Sequence, residues 1–237
     1  TEELLKSLDQ ISAMEMTDGM RTHLELILGS LLAEKDPELA LRRFSDRLKG
    51  SNPRFKTLLD TAFGKWVEHD LEKATAWLDA GTSNGAFEST SLTEKEPLRR
   101  KFESRLILAL LSLDPEAASK RLGMLPGNEA AATLNACFYK GPPSKEQRNA
   151  YVKLVQERVA VAAQPAFFAS MVQSVVSDGT LQDSSYVFDQ YQIPASVRTR
   201  SAEMAAMSYF MYFGTNRKVS AENLGDVDSW LSKEGSS

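Results

Sequence analysis

The hydrophobic residues of the chain recur in a fixed frame around a short polar phrase that occurs three times in its first half. The phrase reads Asp-Pro-Glu-Leu-Ala at 36–40, Asp-Leu-Glu-Lys-Ala at 70–74 and Asp-Pro-Glu-Ala-Ala at 114–118. An Asp before a helix accepts a backbone N–H bond, a Pro at the first helical position loses none, and an early Glu suits the positive end of the helix dipole. Each phrase therefore predicts the start of a helix.

Apolar residues stand twelve, eight and four positions before each of the three aspartates and eight positions after it. Spacings of four place them on one face of an incoming helix and on one face of an outgoing helix. An alanine stands four positions after each aspartate. Its small side chain allows the backbones of the two helices to approach closely there. The pattern thus predicts three helical hairpins. Their apolar members are Leu24, Leu28, Leu32 and Phe44, then Leu58, Ala62, Trp66 and Leu78, then Phe102, Leu106, Leu110 and Leu122.

One hairpin of this kind cannot bury its apolar face alone, so self-similar copies are expected to stack on one another. The sequence therefore predicts an all-α fold, an α-solenoid of about six antiparallel helix pairs in a single helical-repeat domain over 1–237. The stretch at about 2–14 carries an apolar helical stripe but no phrase of its own. We expect it to form a helix that caps the open end of the array.

Weaker copies of the frame continue in the second half of the chain. Ser144, with Gln147 three residues later, predicts a capping box. Thr180 is flanked by apolar residues in the same frame as the aspartates. The stretch around Asn223 is interpreted as a degenerate last copy of the repeat. No run alternates polar and apolar residues, so nothing predicts a strand.

The third unit is longer than the first two. The second and third aspartates are 44 residues apart, whereas the first and second are 34 apart. We place the insertion at about 80–97, which is rich in Gly, Ser, Thr and Asn, and interpret it as a solvated loop. The alternative is that Phe87 and Leu92 pack against the array and shape a site.

The repeated unit resembles a known class of helical repeats. The phrase at 70–74 followed by Leu78 resembles the turn and second-helix opening of a tetratricopeptide repeat. Units that end in Trp77-Leu78 or Arg121-Leu122 resemble the tandem Asp-Pro-x-x-Ala-x-x-Trp-Leu repeats of uncharacterised, often exported bacterial proteins. The resemblance implies a tetratricopeptide-like superhelix whose first helices line a concave groove.

That resemblance also implies which residues would grip an extended peptide in the groove. The sequence departs from the family pattern at Thr61 and Lys65, where an apolar and an aromatic residue are expected, and at Arg105. The alternative for the charged groove candidates is that they are plain solvated helix positions. The implied groove residues are Glu25, Lys56, Phe63, Arg100 and Glu103.

Composition narrows the possible partners. With 42% apolar and 25% charged residues, the chain has the composition of an ordinary soluble globular protein. A net charge of −4 gives no long-range attraction to nucleic acid or to an anionic membrane, and no apolar run is long enough for a membrane span. The single cysteine, Cys137, is expected to be a small buried residue. Because the chain starts at Thr1 and not at a methionine, we expect either an engineered fragment or a processed product whose leader has been removed, and the second alternative would suit an exported or periplasmic protein.

No motif in the sequence carries recognisable chemistry. The two histidines stand in no metal-ligand spacing, and phosphate-binding loops and nucleophile elbows are absent. The sequence thus predicts no catalytic residues, no cofactor and no metal. The functional hypothesis is a non-enzymatic module that binds a protein or peptide, because helical arrays present grooves. Two alternatives stay open: an all-α enzyme with its site near 80–97, and a structural spacer within a larger protein.

Overall fold

Every regular element that the structure describes is helical. The structure is a computed structural model that describes residues 1–49, 52–87, 98–137, 144–176, 188–216 and 221–235. Over these ranges there is no strand, which confirms the predicted all-α class. None of the helices found there combines the length and the apolar character that crossing a membrane requires. The chain divides into two compact units, Thr1–Ala109 and Leu110–Ser237.

In the first unit, helices that follow one another along the chain pack together. Helix α2 contacts α1, α3 and α4, and α4 also contacts α3 and α5. The stacking of all pairs into one solenoid stays a prediction. The helices are α1 (Glu2–Ala13), α2 (Asp18–Lys35), α3 (Pro37–Arg43), α4 (Pro53–His69), α5 (Leu71–Ser83) and α6 (Leu98–Leu113), which begins in this unit; a 3-10 turn covers Ser45–Arg47.

Three aspartates each end one helix and begin the next, as the repeated phrase predicts. Asp36, Asp70 and Asp114 share a φ between −150° and −152° and a ψ between 81° and 84°. Each carboxylate accepts the backbone N–H three residues later at 3.0 Å. Each backbone N–H donates to the carbonyl four residues earlier at 2.7 Å. One residue thus satisfies backbone groups at two helix ends, so no loop is needed between the helices.

The first two hairpins fold back symmetrically about their aspartate joints. In the first, a Cβ added to Gly29, seven residues before the joint, would lie 2.8 Å from Cε2 of Phe44, eight residues after it. In the second, the rings of Phe63 and Trp77, each seven residues from the joint, have centroids 6.0 Å apart. Positions at equal distance from the joint therefore meet, which is the geometry of an antiparallel pair.

Helix α1 is held on the first hairpin by both apolar and polar contacts. Leu8 and Ile11 are buried. The guanidinium of Arg21 donates to three carbonyl oxygens at the end of α1, at 2.6 to 3.2 Å. Arg43 on α3 forms an ion pair with Asp9 at 2.7 Å. The predicted helix at about 2–14 is confirmed, and its role as the cap of a longer array stays a prediction.

Helix α5 ends later than the sequence predicts, at a C-terminal motif that contains a glycine. The helix continues through Ser83, so the first part of the predicted 80–97 insertion is helical. Gly85 then adopts a φ of 72°, and the N–H groups of Gly85 and Ala86 donate back to the last turn at 3.2 and 2.8 Å. This is a Schellman ending, which favours glycine at the left-handed position. Residues 88–97, including Leu92, lie outside the described residues.

The second unit is also built from helices in contact with their neighbours. Helix α10 packs against α8, α9 and α11, α7 packs against α8, and α11 packs against α12. Its helices are α7 (Pro115–Gly123), α8 (Gly127–Ala136), α9 (Lys145–Arg158), α10 (Gln164–Val176), α11 (Ala195–Asn216) and α12 (Ala221–Gly235); a 3-10 turn covers Val161–Ala163.

Two helix starts in this unit can be compared with the sequence predictions. The capping box at α9 is confirmed, since Ser144 and Gln147 exchange hydrogen bonds of 3.2 and 2.9 Å between side chain and backbone. Helix α12 begins at Ala221, two residues before Asn223, so Asn223 lies inside the helix and does not cap it. Thr180 lies outside the described residues.

An ionic cluster joins the last two helices of the second unit. Arg198 on α11 donates to the fully buried carboxylate of Glu234 on α12 and, at 2.7 Å, to Asp189. Its guanidinium lies 5.4 Å from the ring centroid of Phe188, which stacks on Trp230. Because a buried carboxylate is stable only when it is paired, this contact fixes how α12 sits on α11.

Candidate functional site

The five residues implied as groove residues occupy different environments in the structure. Glu25 and Glu103 are buried and Phe63 is fully buried, whereas Lys56 and Arg100 are partly exposed. Three of the five therefore have little or no surface to offer a partner. The implied groove stays a prediction, and of its five residues the structure leaves Lys56 and Arg100 partly exposed.

Phe63 fills the core of the first unit instead of lining a groove. Its ring stacks on Phe102 with centroids 4.3 Å apart and lies 6.0 Å from Trp77. Both of those rings meet Phe87 edge to face, at 5.7 and 5.8 Å. Clustering of this kind removes large aromatic surfaces from water and so stabilises the unit. Phe87, which the sequence analysis considered as part of a site, belongs to the same core cluster.

Glu25 is a buried partner of Arg47. Its carboxylate accepts a hydrogen bond from the Arg47 guanidinium at 3.3 Å, and that guanidinium also lies 5.2 Å from the ring centroid of Phe55. The Glu25 side chain is 11% exposed and the Arg47 side chain 43%. The pair therefore links α2 to the turn after α3, a structural task that leaves the Glu25 carboxylate turned inward.

The exposed row of α2 lies on nearly the opposite side of the helix from Glu25, because Ile27 stands two residues later and so about 160° away around the helix axis. Along it, Met20 is 60% exposed, and Ile27 and Leu31 are each 47% exposed. His23 and Glu34 continue the same stripe and are also exposed. Singly scattered apolar residues are normal on a protein surface, but a row of them along one helix face makes this face a candidate for an interaction surface.

A groove of about 740 Å³ lies between α2 and α4. Glu34 forms an ion pair with Lys65, and Gly29 lies against Leu58, so the two helices run side by side in the same direction. We call this feature the α2–α4 groove. Its apolar lining is Leu26, Ile27, Leu31, Ala33 and Leu58, and its polar lining is His23, Ser30, Glu34, Arg54, Thr57 and Thr61.

The two ends of the α2–α4 groove differ in charge. At one end, the Glu34–Lys65 ion pair bridges the two helices. His23 and Arg54 line the groove toward its other end, each eleven residues before the member of that pair on its own helix. Both side chains are exposed, and within the described residues the Arg54 guanidinium forms neither an ion pair nor a hydrogen bond. One end is therefore neutralised and the other keeps a positive charge.

Hydroxyl groups line the groove between its two ends. Ser30 donates to the carbonyl of Leu26 at 2.8 Å, and Thr57 donates to that of Pro53 at 3.1 Å. Because their protons are used inside their own helices, their oxygen lone pairs remain able to accept a bond from a ligand. Thr61 forms no hydrogen bond with the part of the chain that the structure describes. The groove thus combines an apolar floor with hydrogen-bond acceptors.

Helix α4 is supported on its other side by an ion pair that the sequence analysis missed. The Asp60 carboxylate, 6% exposed, accepts bonds from Nε and Nη2 of Arg105, each at 3.2 Å. A two-pronged contact of this kind fixes both position and orientation of the partner helix. The sequence does carry a signal for it, because Arg105 stands where the repeat frame expects an apolar residue.

The ionisable groups with clearly shifted pKa values lie outside the groove. A hydrogen bond from Lys73 lowers the pKa of Asp70, and burial raises the pKa of Tyr151 well above its ordinary value. No group of three or more His, Cys, Asp or Glu side chains that could hold a metal ion occurs among the residues described. What the groove offers chemically is apolar surface, hydrogen-bond acceptors and a positive end, which suit reversible binding.

Comparisons with protein-family models, with curated proteins and with solved structures find no match to this chain. The resemblance to tetratricopeptide repeats therefore stays a prediction that rests on the repeated phrase and its apolar frame.

Proposed function

We propose that the protein is a non-enzymatic helical-repeat module that binds a segment of another protein in the α2–α4 groove. The observation that carries this proposal is the exposed apolar row of α2, in which Ile27 and Leu31 each leave about half of the side chain in water along a groove floor. The same proposal includes a tetratricopeptide-like superhelix, of which the first unit, Thr1–Ala109, would form one part.

The apolar row supports binding of modest strength. Full burial of an Ile or Leu side chain contributes about 1.5–3 kcal/mol, so covering the exposed halves of Ile27 and Leu31 contributes about 2 kcal/mol together. That contribution is enough for a dissociation constant to change more than tenfold when both side chains are lost. It is too small to hold a partner without further contacts along the rim of the groove.

The proposal is tested by selecting short random peptides on the intact protein and measuring binding of the selected peptides by fluorescence anisotropy. The double variant Ile27→Gln, Leu31→Gln should weaken binding by about tenfold or more. Glutamine keeps a good helix propensity, so α2 should remain formed. The matched control is Leu113→Gln, which changes a leucine outside the groove. Leu113 is 72% exposed and therefore more exposed than Ile27 or Leu31.

Two outcomes would count against the proposal. One is that no selected peptide loses affinity in the double variant while thermal melts show that the variant is folded. The other is that Leu113→Gln lowers affinity as much as the double variant, which would indicate unspecific adhesion to apolar surface.

A further inference from the structure

We infer that the α2–α4 groove takes an extended, acidic–apolar peptide segment, with a carboxylate at the Arg54 end and two apolar side chains following at every second residue. This inference rests on the proposed function and specifies its partner. It uses three features of the groove: its positive end, the spacing of its apolar residues, and its row of acceptor hydroxyls.

The positive end favours a carboxylate on the partner. Arg54 and His23 both line that end of the groove, and Lys65 at the opposite end is already paired with Glu34. An Arg guanidinium binds a carboxylate with two parallel hydrogen bonds, and complementary charge fixes which way round a ligand lies. A basic segment would instead meet the like charge of Arg54 at one end and, at the other, the Glu34 carboxylate that already pairs with Lys65.

The spacing along α2 suits side chains that alternate along an extended chain. From the level of His23, Ile27 lies four residues further and Leu31 four beyond that, which corresponds to steps of about 6 Å along the helix axis. Every second side chain of an extended segment points the same way, at intervals of about 6.6 Å. A carboxylate at one position therefore reaches Arg54 while the side chains two and four residues later reach Ile27 and Leu31.

The hydroxyl row distinguishes an extended segment from a helical one. Ser30 and Thr57 can accept bonds, since each donates its own proton to a carbonyl of its helix. An extended segment has unpaired backbone N–H groups to offer them, whereas a helix has already used most of its N–H groups internally. The groove therefore complements the backbone as well as the side chains of an extended ligand.

The test uses the same peptide selection on the intact protein and on two charge-reversal variants, Arg54→Glu and Lys6→Glu. Peptides selected on the unchanged protein should share Asp or Glu followed by apolar residues two and four positions later. Arg54→Glu should select Lys or Arg at the acidic position. Lys6→Glu, which reverses an exposed cation of α1 outside the groove, should select the same peptides as the unchanged protein.

Direct binding of a selected acidic peptide gives a second readout. Arg54→Gln should weaken binding by about fivefold and Arg54→Glu by about tenfold or more, and added salt should weaken the unchanged protein more than Arg54→Gln. Thermal melts of each variant establish that the loss is not unfolding.

The results separate this inference from the proposed function. Peptides that need Ile27 and Leu31 but carry no acidic residue, and bind equally well to Arg54→Glu, would overturn the inference and leave the proposed function intact. Selected peptides in which the two apolar residues follow the acidic residue at four and eight positions would indicate a helical ligand. That result would also overturn the inference. If no peptide depends on Ile27 and Leu31, the proposed function itself fails.

Discussion

Gly29 packs closely against the next helix, and replacing this glycine tests how tightly the repeats pack. A Cβ added there would lie 2.8 Å from both Cδ1 of Leu58 on α4 and Cε2 of Phe44, the residue that ends α3. Both neighbours are buried, so neither side chain can swing into solvent to make room. Gly29→Ala should therefore force side chains or helix axes to shift.

The magnitude follows from two opposing effects. Alanine in a helix interior is favoured over glycine by about 1 kcal/mol, whereas overpacking a closed core costs about 1–3 kcal/mol. We expect Gly29→Ala to be destabilising by up to about 2 kcal/mol. Gly64 is the matched control, because it lies inside α4 and the three atoms nearest to a Cβ there belong to the Arg105 side chain, at 3.6 to 3.8 Å, an ordinary van der Waals distance. Gly64→Ala should be stabilising by about 0.5–1 kcal/mol.

The assay is denaturant unfolding of the unchanged protein and both variants, followed by circular dichroism. The two alanine variants should move the unfolding midpoint in opposite directions, with unchanged slopes. If Gly29→Ala raises the midpoint as much as Gly64→Ala, the close packing of Gly29 against Leu58 and Phe44 is refuted. Our interpretation of α2, α3 and α4 as closely packed neighbours would then be wrong.

The joints and the buried ion pair make further predictions. Asp114→Ala should lower the free energy of unfolding by about 1 kcal/mol through loss of the helix cap, as judged by thermal melts. Ala118→Leu should cost about 1–3 kcal/mol because Ala118 is fully buried, and a melt at or above that of the unchanged protein would contradict this. Arg105→Met should cost about 2 kcal/mol by removing the guanidinium from the buried Asp60 carboxylate, and the added change Asp60→Leu should restore part of that loss in a double-mutant cycle.

The helix joints could be predicted from the sequence because their physics is local. The carboxylate of Asp36 and its equivalents bonds to an N–H only three residues away, and Ser144 and Gln147 form their box over the same distance. Such contacts depend on residues that are neighbours along the chain, so a short phrase is enough to identify them. The Schellman ending at Gly85 is equally local and could have been found from its Asn-Gly pair.

The position of the groove could not be predicted because α2 is apolar on several sides. Leu28 and Leu32 follow the repeat frame, Leu26 stands on the far side of the helix from them, and Ile27 and Leu31 form a third row. Periodicity shows that such a helix has apolar faces, but not which face the neighbouring helices cover. Glu25 is turned inward, whereas Ile27, two residues later and so nearly opposite on the helix, is exposed.

Departures from the repeat frame are the best sequence signal for the groove, and Thr61 provides the test. In a stacked repeat, a position enclosed by neighbours is normally apolar, so a polar residue there indicates either contact with water or an ion pair. Thr61 lines the groove and Lys65 pairs with Glu34 across it, which places both departures of α4 on the open side. Thr61→Leu should therefore leave stability within about 0.5 kcal/mol while it strengthens binding of groove-selected peptides severalfold, by about 1 kcal/mol of added apolar contact. A large loss of stability in this variant would indicate that Thr61 is enclosed, and the groove would not be open where we place it.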